Sequence, residues 1–587
     1  LSALKVLDAA FRATVSRMYS AFDIDKAGLE RLRKAAKDGS LVLLPSHKSH
    51  LDYIVLTWLF LHSDMPVPLV AAGDNLAFFP LGPVLRRAGA FFIRRSFRGD
   101  RLYGAVVDAY MRRLLLDGWP LEFFLEGTRS RTGKLLPPKL GLLSIVVNAA
   151  LGATERGDGS PTRDVFFCPI SIGYERIVEE REFVRELSGG EKRSEDVRGL
   201  VSAAETTLGR YGRLNVQFGA LLTLDGVLSE LGESKRPLTP ARRRALVTRL
   251  AYRVMHEINR ITVVTPSALV AAALLTHGEG SITHESLVDA CERLAAILRE
   301  REARFAGSLV EADPMDAGAT RLRREALAEA CRLLKRARHI RIERAGMPVG
   351  EPLRRLRPGP GAVYVVPPAE RLSLDISKNL IVHFFATRAM LATPLAAGHE
   401  AGLTRAELAE RAQAMSRLFK YEFQFRADAS FDAIFDETLA HMIADGEIES
   451  SSLAEEQPRL RLARTGESRE RALLHIRMIQ SFLESYRIAA RSVVLLLKGP
   501  LSAKDHTKRA LTMGERMFTD GEIACREAVT RPVLENAFSS FVDLGYLKRT
   551  EGGYALHESY TSQDAVAIVE ARIKSFYSAS PEKADAP

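Results

Sequence analysis

The chain has 587 residues, 46% of them hydrophobic, with a formal net charge of +10 and a pI near 9.4. That length exceeds one hydrophobic core, the apolar content excludes a largely disordered chain, and four single cysteines, Cys168, Cys291, Cys331 and Cys525, exclude a disulfide framework and suit a reducing compartment. The positive surplus asks for an anionic partner, whether phospholipid headgroups, nucleic acid, a phosphorylated substrate or an acidic carrier protein, and does not choose among them.

Residues Leu1 to Asp38 read as helical, with Leu4, Leu7, Ala10 and Phe11 on one stripe and Leu29 and Leu32 later, and carry no leader pattern. Leu41 to Leu56, LVLLPSHKSHLDYIVL, then sets a strand that stops at Pro45 before an apolar helix beginning near Leu51. Residues five apart on one helix point about 140° away from each other, so His47 and Asp52 meet only if the first is on the loop and the second in the first helical turn. Ser49 is the N-cap candidate at that break. A carboxylate on one ring nitrogen would leave the other nitrogen free to take a proton from an alcohol. Two plainer readings stay open: Ser49-x-x-Asp52 as a capping box, and His47 with His50 as loop residues or metal ligands. Zinc would need further ligands at recognisable spacing, and the scattered cysteines supply none.

Apolar runs at Val67 to Ala72, Ala90 to Ile93, Leu121 to Leu125, Val165 to Ile172 and Leu214 to Phe218 predict strands, and helical patterns fall between them at Gly104 to Leu116, Lys139 to Leu151 and Asp196 to Leu208. The alternation predicts an α/β domain with a largely parallel sheet flanked by helices, its chemistry on loops beyond strand ends. Three segments bring groups suited to a phosphate. GAFFIRR ends in Arg94 and Arg95, which a pleated strand sends to opposite faces; surface charge is the plainer reading. FFLEGTRSRTGK delivers Glu126, Gly127, Thr128, Arg129, Ser130, Arg131 and Lys134 onto one turn, either an anion cradle or a flexible basic loop. It is no P-loop, since five residues separate Gly127 from Gly133 where four are required and Leu135 stands where Ser or Thr should bind magnesium. CPISIGYERI places Pro169 at an edge or a pocket wall.

Past Leu224 the strand signal fades into helices, Pro240 to Ile261 and Ser267 to His277 among them. Glu285 to Arg344 follow with the basic run RLRREALAEACRLLKRARHIRIER, and more helix reaches about Gln413. That run, read as a basic amphipathic helix, suits anionic lipid, acidic protein or plain solvation. Phe431 to Ala444 and Val533 to Leu544 each lead into a segment of hairpin character, a form used in DNA-binding modules and in ordinary packing; the acidic helix faces disfavour DNA. No apolar run reaches the roughly 18 residues that span a bilayer; the nearest are Tyr53 to Leu61, Ala268 to Leu275 and Leu380 to Met390, and the first is either a core helix or an interfacial segment. The chain divides as an N-terminal helical segment (1–38), an α/β domain (39–277), a helical C-terminal region (278–577) and a disordered tail (578–587).

Taken in order, PSHKSHLDY, GAFFIRR, FLEGTRSRTGK and CPISIGYERI resemble the four motifs of the glycerolipid acyltransferases, most closely the membrane-associated glycerol-3-phosphate acyltransferases. YGRLNVQFG and DISKNLIVHFFATRAML extend the likeness toward the C-terminal half of the long bacterial-type enzymes. The resemblance implies transfer of an acyl group from acyl-CoA or acyl carrier protein to the sn-1 hydroxyl of glycerol 3-phosphate, with no cofactor and no metal. It implies His47 as general base, Asp52 as its orienting partner, and Arg94 or Arg95 with Gly127, Thr128, Arg129, Ser130, Arg131 and Lys134 around the phosphate. Glu126 would position the glycerol hydroxyls and Pro169 the acyl end. The expected setting is the cytoplasmic face of the cell membrane, peripheral or monotopic, with no nucleic-acid partner. Dihydroxyacetone-phosphate or lysophosphatidate acyltransferase, a basic binding scaffold and a metal-dependent hydrolase are the alternatives.

Overall fold

The computed structural model describes residues 8–9, 11–13, 15–74, 77, 81–94, 100–154, 164–190, 211–232, 238–278, 280–313, 316, 319–344, 357–397, 401–426, 429–451 and 458–576. Seven strands form its main sheet: β1 (Ala21–Ile24), β2 (Gly39–Pro45), β3 (Leu69–Gly73), β4 (Ala90–Ile93), β5 (Leu121–Glu122), β6 (Asp164–Tyr174) and β7 (Arg213–Phe218), in the order β1-β7-β6-β2-β5-β3-β4. Every pairing is parallel except β6 with β7. α1 (Lys26–Asp38) and α2 (Asp52–Leu61) pack on one face, α3 (Leu81–Arg87) joins β3 to β4, and α4 (Arg101–Leu116) and α5 (Leu140–Thr154) pack on the other face. Strand residues alternate accordingly: Leu41 and Leu43 join the first core, Val42 and Leu44 the second.

Several expectations shift. Ala21–Ile24, expected as helix, is an edge strand paired with β7; its four half-buried residues carry no alternation to betray it. The strand at Leu121 stops at Glu122, because Phe123 still bonds Leu43 but the chain then turns to lay Phe124 on His47. β6 is interior, so Pro169 is not at an edge; the antiparallel ladder with β7 begins only at Ile170, and the missing N–H costs no bond. The basic run is no single helix: Arg338 turns left-handed (φ 71°) after Arg324–Ala337, and buried Ile340 and Ile342 set a strand, Arg341–Arg344. The expected helix 196–208, Arg95 and the tail 578–587 lie outside the described residues.

After α6 (Glu180–Leu187), α7 (Pro240–Arg260) and the wholly buried α8 (Pro266–Thr276), the C-terminal region repeats one plan three times. A short strand, two main helices and a hairpin follow one another, and the hairpin's second strand lies between its first and the opening strand. The opening strands are Ser281–Thr283, Leu403–Thr404 and Leu501–Ser502. Each ends in the residue that caps its first helix, the side chains of Thr283, Thr404 and Ser502 accepting from the N–H of Ser286, Glu407 and Asp505. The two later segments of shared form are the second and third units; the first has an additional hairpin between its main helices.

These units pack with α9 (Arg371–Lys378), α10 (His383–Ala397) and the long α11 (Gly466–Ser492). Among the described residues no helix is long and apolar enough to cross a membrane, and the Tyr53 to Leu61 run packs mainly into the core. α9 ties the two regions together, contributing Leu372 and Ile376 to the core of the sheet's α2 face.

The segment before α5 meets α9 at Gly133, where φ is +88° and an added Cβ would lie 2.0 Å from the Ile376 carbonyl oxygen. Gly133→Ala is expected to lower stability by at least about 2 kcal/mol in urea unfolding, whereas Gly104→Ala, a helical position with open space around it, is neutral or stabilising.

Candidate active site

The site lies at the carboxyl ends of the parallel strands. His47 stands on the loop after β2 and Asp52 opens α2, with His47 Nδ1 3.0 Å from Asp52 Oδ2. The carboxylate fixes Nδ1 as the protonated nitrogen; among the described residues Nε2 has no hydrogen-bond partner. The ring stacks on Phe124, centroids 3.8 Å apart, and keeps 15% side-chain exposure. Burial lowers the His47 pKa below the usual imidazole value, opposed by the hydrogen bond and charge of Asp52. A base that is neutral at physiological pH results.

Asp52 is fully buried and multiply bonded. Its Oδ2 also accepts the backbone N–H of Lys48 (2.7 Å) and Ser49 (2.9 Å), and its Oδ1 the Tyr174 hydroxyl (2.5 Å). The capping-box reading is thus half realised: Asp52 reaches back to Ser49, but the N-cap residue is Leu51 and Ser49 Oγ turns to Glu179. Glu122, fully buried on β5, has no hydrogen-bond partner on either oxygen among the described residues, and burial pushes its carboxyl well above the usual carboxylate range.

The loop after β5 is sewn to His47. Glu126 Oε1 accepts the His47 N–H at 2.7 Å, Glu126 Oε2 the Leu136 N–H at 2.9 Å, and the His47 carbonyl accepts the Ser130 N–H at 2.8 Å. Burial pushes the Glu126 pKa up to about 8, against those N–H bonds. Each oxygen thus holds one backbone N–H, which ties the loop to His47 and leaves each a second lone pair. Gly127, with φ +65°, and Thr128 are exposed at the tip. Arg129 is buried against Glu179 (3.3 Å) and the Phe183 ring; Arg131 meets Glu186 (3.1 Å), the Arg129 carbonyl and Thr128. Ser130 Oγ donates to the Lys134 carbonyl.

Two expected phosphate ligands go elsewhere. Lys134 is buried in the C-terminal region, ion-paired with Glu422 and set over Phe423 and Phe482. Arg94 is exposed at the far edge strand, paired with Asp100 at 3.0 Å and lying over Tyr103. Pro169 is buried, its carbonyl accepting the Gly219 N–H.

Glu179 was missed by sequence reasoning. Its carboxylate accepts Ser49 Oγ, the His50 N–H and Arg129, so one side chain fastens the histidine loop to the arginine loop. Nothing local marks it; its position just past CPISIGYERI is the one available signal. Tyr174, whose hydroxyl donates to Asp52, lies inside that motif. Among the described residues no three His, Cys, Asp or Glu side chains converge as a metal ligand set.

The acyltransferase family model covers residues 23–173, the stretch that holds the histidine–aspartate pair and the arginine-bearing loop. A second family model, the glycerol-3-phosphate acyltransferase C-terminal region, covers residues 183–550, more than half the chain, so this protein belongs to the glycerol-3-phosphate acyltransferase family. It is similar to glycerol-3-phosphate acyltransferases of Pasteurella multocida (35% identical over 302 residues, 50% of this chain and 36% of the relative), Glaesserella parasuis (38% over 284 residues, 47% and 34%) and Shewanella loihica (36% over 306 residues, 51% and 37%). The chain thus spans only about a third of the length of these relatives. A solved structure, the 1-acyl-sn-glycerophosphate acyltransferase of Thermotoga maritima, matches at 18% identity and a TM-score of 0.25 over 43% of this chain and 79% of that one, too distant to bear on the fold.

Two outcomes follow from the geometry. By NMR titration His47 should ionise below the usual imidazole value, and Asp52→Asn, which removes the group that raises it, should move the titration to still lower pH. Glu422→Gln, which strands a buried ammonium, should cost about 3–5 kcal/mol in urea unfolding, and the apolar pair Lys134→Met with Glu422→Leu should recover most of it.

Proposed function

We propose that this chain catalyses transfer of a fatty acyl group from an acyl thioester, acyl-CoA or acyl carrier protein, to the sn-1 hydroxyl of glycerol 3-phosphate. The product is lysophosphatidic acid, in the first step of phospholipid synthesis. The observation that carries this reading is the His47 ring, tied at Nδ1 to Asp52, without a hydrogen-bond partner at Nε2 among the described residues, and hydrogen-bonded through its backbone to the loop of Arg129 and Arg131.

In the reaction Nε2 takes the hydroxyl proton as the alcohol oxygen attacks the thioester carbon. The carbon–sulfur bond breaks on collapse, and the imidazolium returns the proton to the departing thiolate. No covalent acyl-enzyme is required. Asp52 stabilises the imidazolium while it exists, and the arginine loop supplies cations for the dianionic phosphate. The Glu126 and Glu179 clamps fix the distance between base and loop, so their contribution is orientation. The basic surplus and the amphiphilic product support a peripheral place on the cytoplasmic face of the cell membrane.

The experiment is glycerol-phosphate-dependent thiol release from acyl-CoA and from acyl carrier protein, with dihydroxyacetone phosphate and lysophosphatidate as competing acceptors. His47→Ala should lose roughly 10²- to 10⁴-fold in kcat. Full turnover in that variant would remove the general-base assignment, and no thiol release from the wild type with any acceptor would leave a binding scaffold.

A further inference from the structure

The helix α4 is apolar on both sides. Val107, Met111, Leu114 and Leu115 pack inward, and between Arg101 and Arg113 every exposed position is apolar: Leu102, Ala105, Val106, Ala109 and Tyr110. Leu102, Val106 and Tyr110 are 77%, 57% and 43% exposed and recur every four residues, a single stripe about 12 Å long. A surface helix over a sheet ordinarily turns charge outward, so this face is unspent apolar area. Trp119, 45% exposed, follows the helix. Beside α4 over the same side of the sheet lies α5, 15 residues without one charge, whose half-buried Leu142 and Ile145 pack against the core that α4 shares.

Charge is placed around this face rather than in it. Both helices begin at the carboxyl ends of the strands, the end that carries His47, and there Arg101 and Lys139 are exposed with no ion-pair partner among the described residues. Farther along, Arg112 and Arg113 are paired with Asp108 and Asp117.

We propose that the outer face of α4 and α5 is the surface on which the protein lies against an anionic phospholipid membrane. An apolar stripe ending in cations, with a tyrosine and a tryptophan whose rings are amphipathic, has the composition of a helix seated at the headgroup boundary. Arg101 and Lys139 meet phosphate headgroups while Leu102 and Val106 enter the acyl layer. The proposal rests on the membrane-surface reading above and adds the face that makes the contact. It also sets the orientation: the helix ends nearest His47 carry these two exposed cations, so the acyl donor and the lysophosphatidate product need not cross open water between bilayer and site.

The test is flotation of the whole chain with vesicles of phosphatidylcholine plus phosphatidylglycerol and of phosphatidylcholine alone. The wild type is compared with Leu102→Gln/Val106→Gln and with Ile568→Gln, a 61% exposed position on another helix. Expected are binding to the anionic vesicles, a loss of roughly 10- to 100-fold in partitioning for the α4 double variant at unchanged melting temperature, and no loss for Ile568→Gln. Equal binding by the wild type and the α4 variant would overturn the face and leave the membrane reading standing. Equal loss in Ile568→Gln would also overturn it. A wild type that floats with neither vesicle would remove the membrane reading itself. A dimer in solution that the α4 variant dissociates would assign the face to a second copy of this chain instead.

Discussion

The Asp52 carboxylate is the constraint on which the site depends. It sits fully buried at the head of α2 and gathers donors from His47, Lys48, Ser49 and Tyr174. A buried carboxylate is tolerable only when its lone pairs are filled, so the His47 ring, the backbone turn ahead of α2 and the end of β6 are locked into one arrangement. The same bonds select the ring tautomer. Removing Asp52 would therefore disturb the shape of the loop as well as the basicity of the ring.

A second carboxylate, Glu126, does for the neighbouring loop what Asp52 does for the histidine turn. One oxygen takes the N–H of His47 and the other that of Leu136, so base and arginine loop cannot drift apart without leaving a buried acid unsatisfied. Glu179 closes the third side through Ser49, His50 and Arg129. The arginine loop is also held from behind. Lys134 reaches Glu422, and the Thr132 carbonyl accepts from Asn379, so residues more than 200 positions later in the chain brace the turn that would hold the substrate. The three-unit C-terminal region is thus part of the site's support through α9 and Glu422.

Legibility in the sequence followed the range of the forces involved. The strand at Ala90–Ile93 and the α5 pattern were readable because pleat and helix periods are local. The His47–Asp52 pair was readable because Pro45 and the onset of an apolar helix force the geometry within ten residues. Two of the three repeated units were visible from their later helix and the segment beyond it. The first was hidden by an inserted hairpin and by a basic run whose charge drew attention away from the alternation at Ile340 and Ile342.

By itself the sequence determined the alternating sheet, the break that lets a histidine face an aspartate, and the presence of a cation-rich turn, since each is a property of neighbouring residues. Only the tertiary structure decided which polar groups of that turn bind backbone or the distant helices: Glu126 clamps backbone, Lys134 leaves for Glu422, Arg94 stays at the edge with Asp100, and Glu179 enters unannounced. The physical reason is that a buried charge takes whichever partner the folded chain brings to it, and that partner stands up to 288 residues away, where no spacing rule reaches.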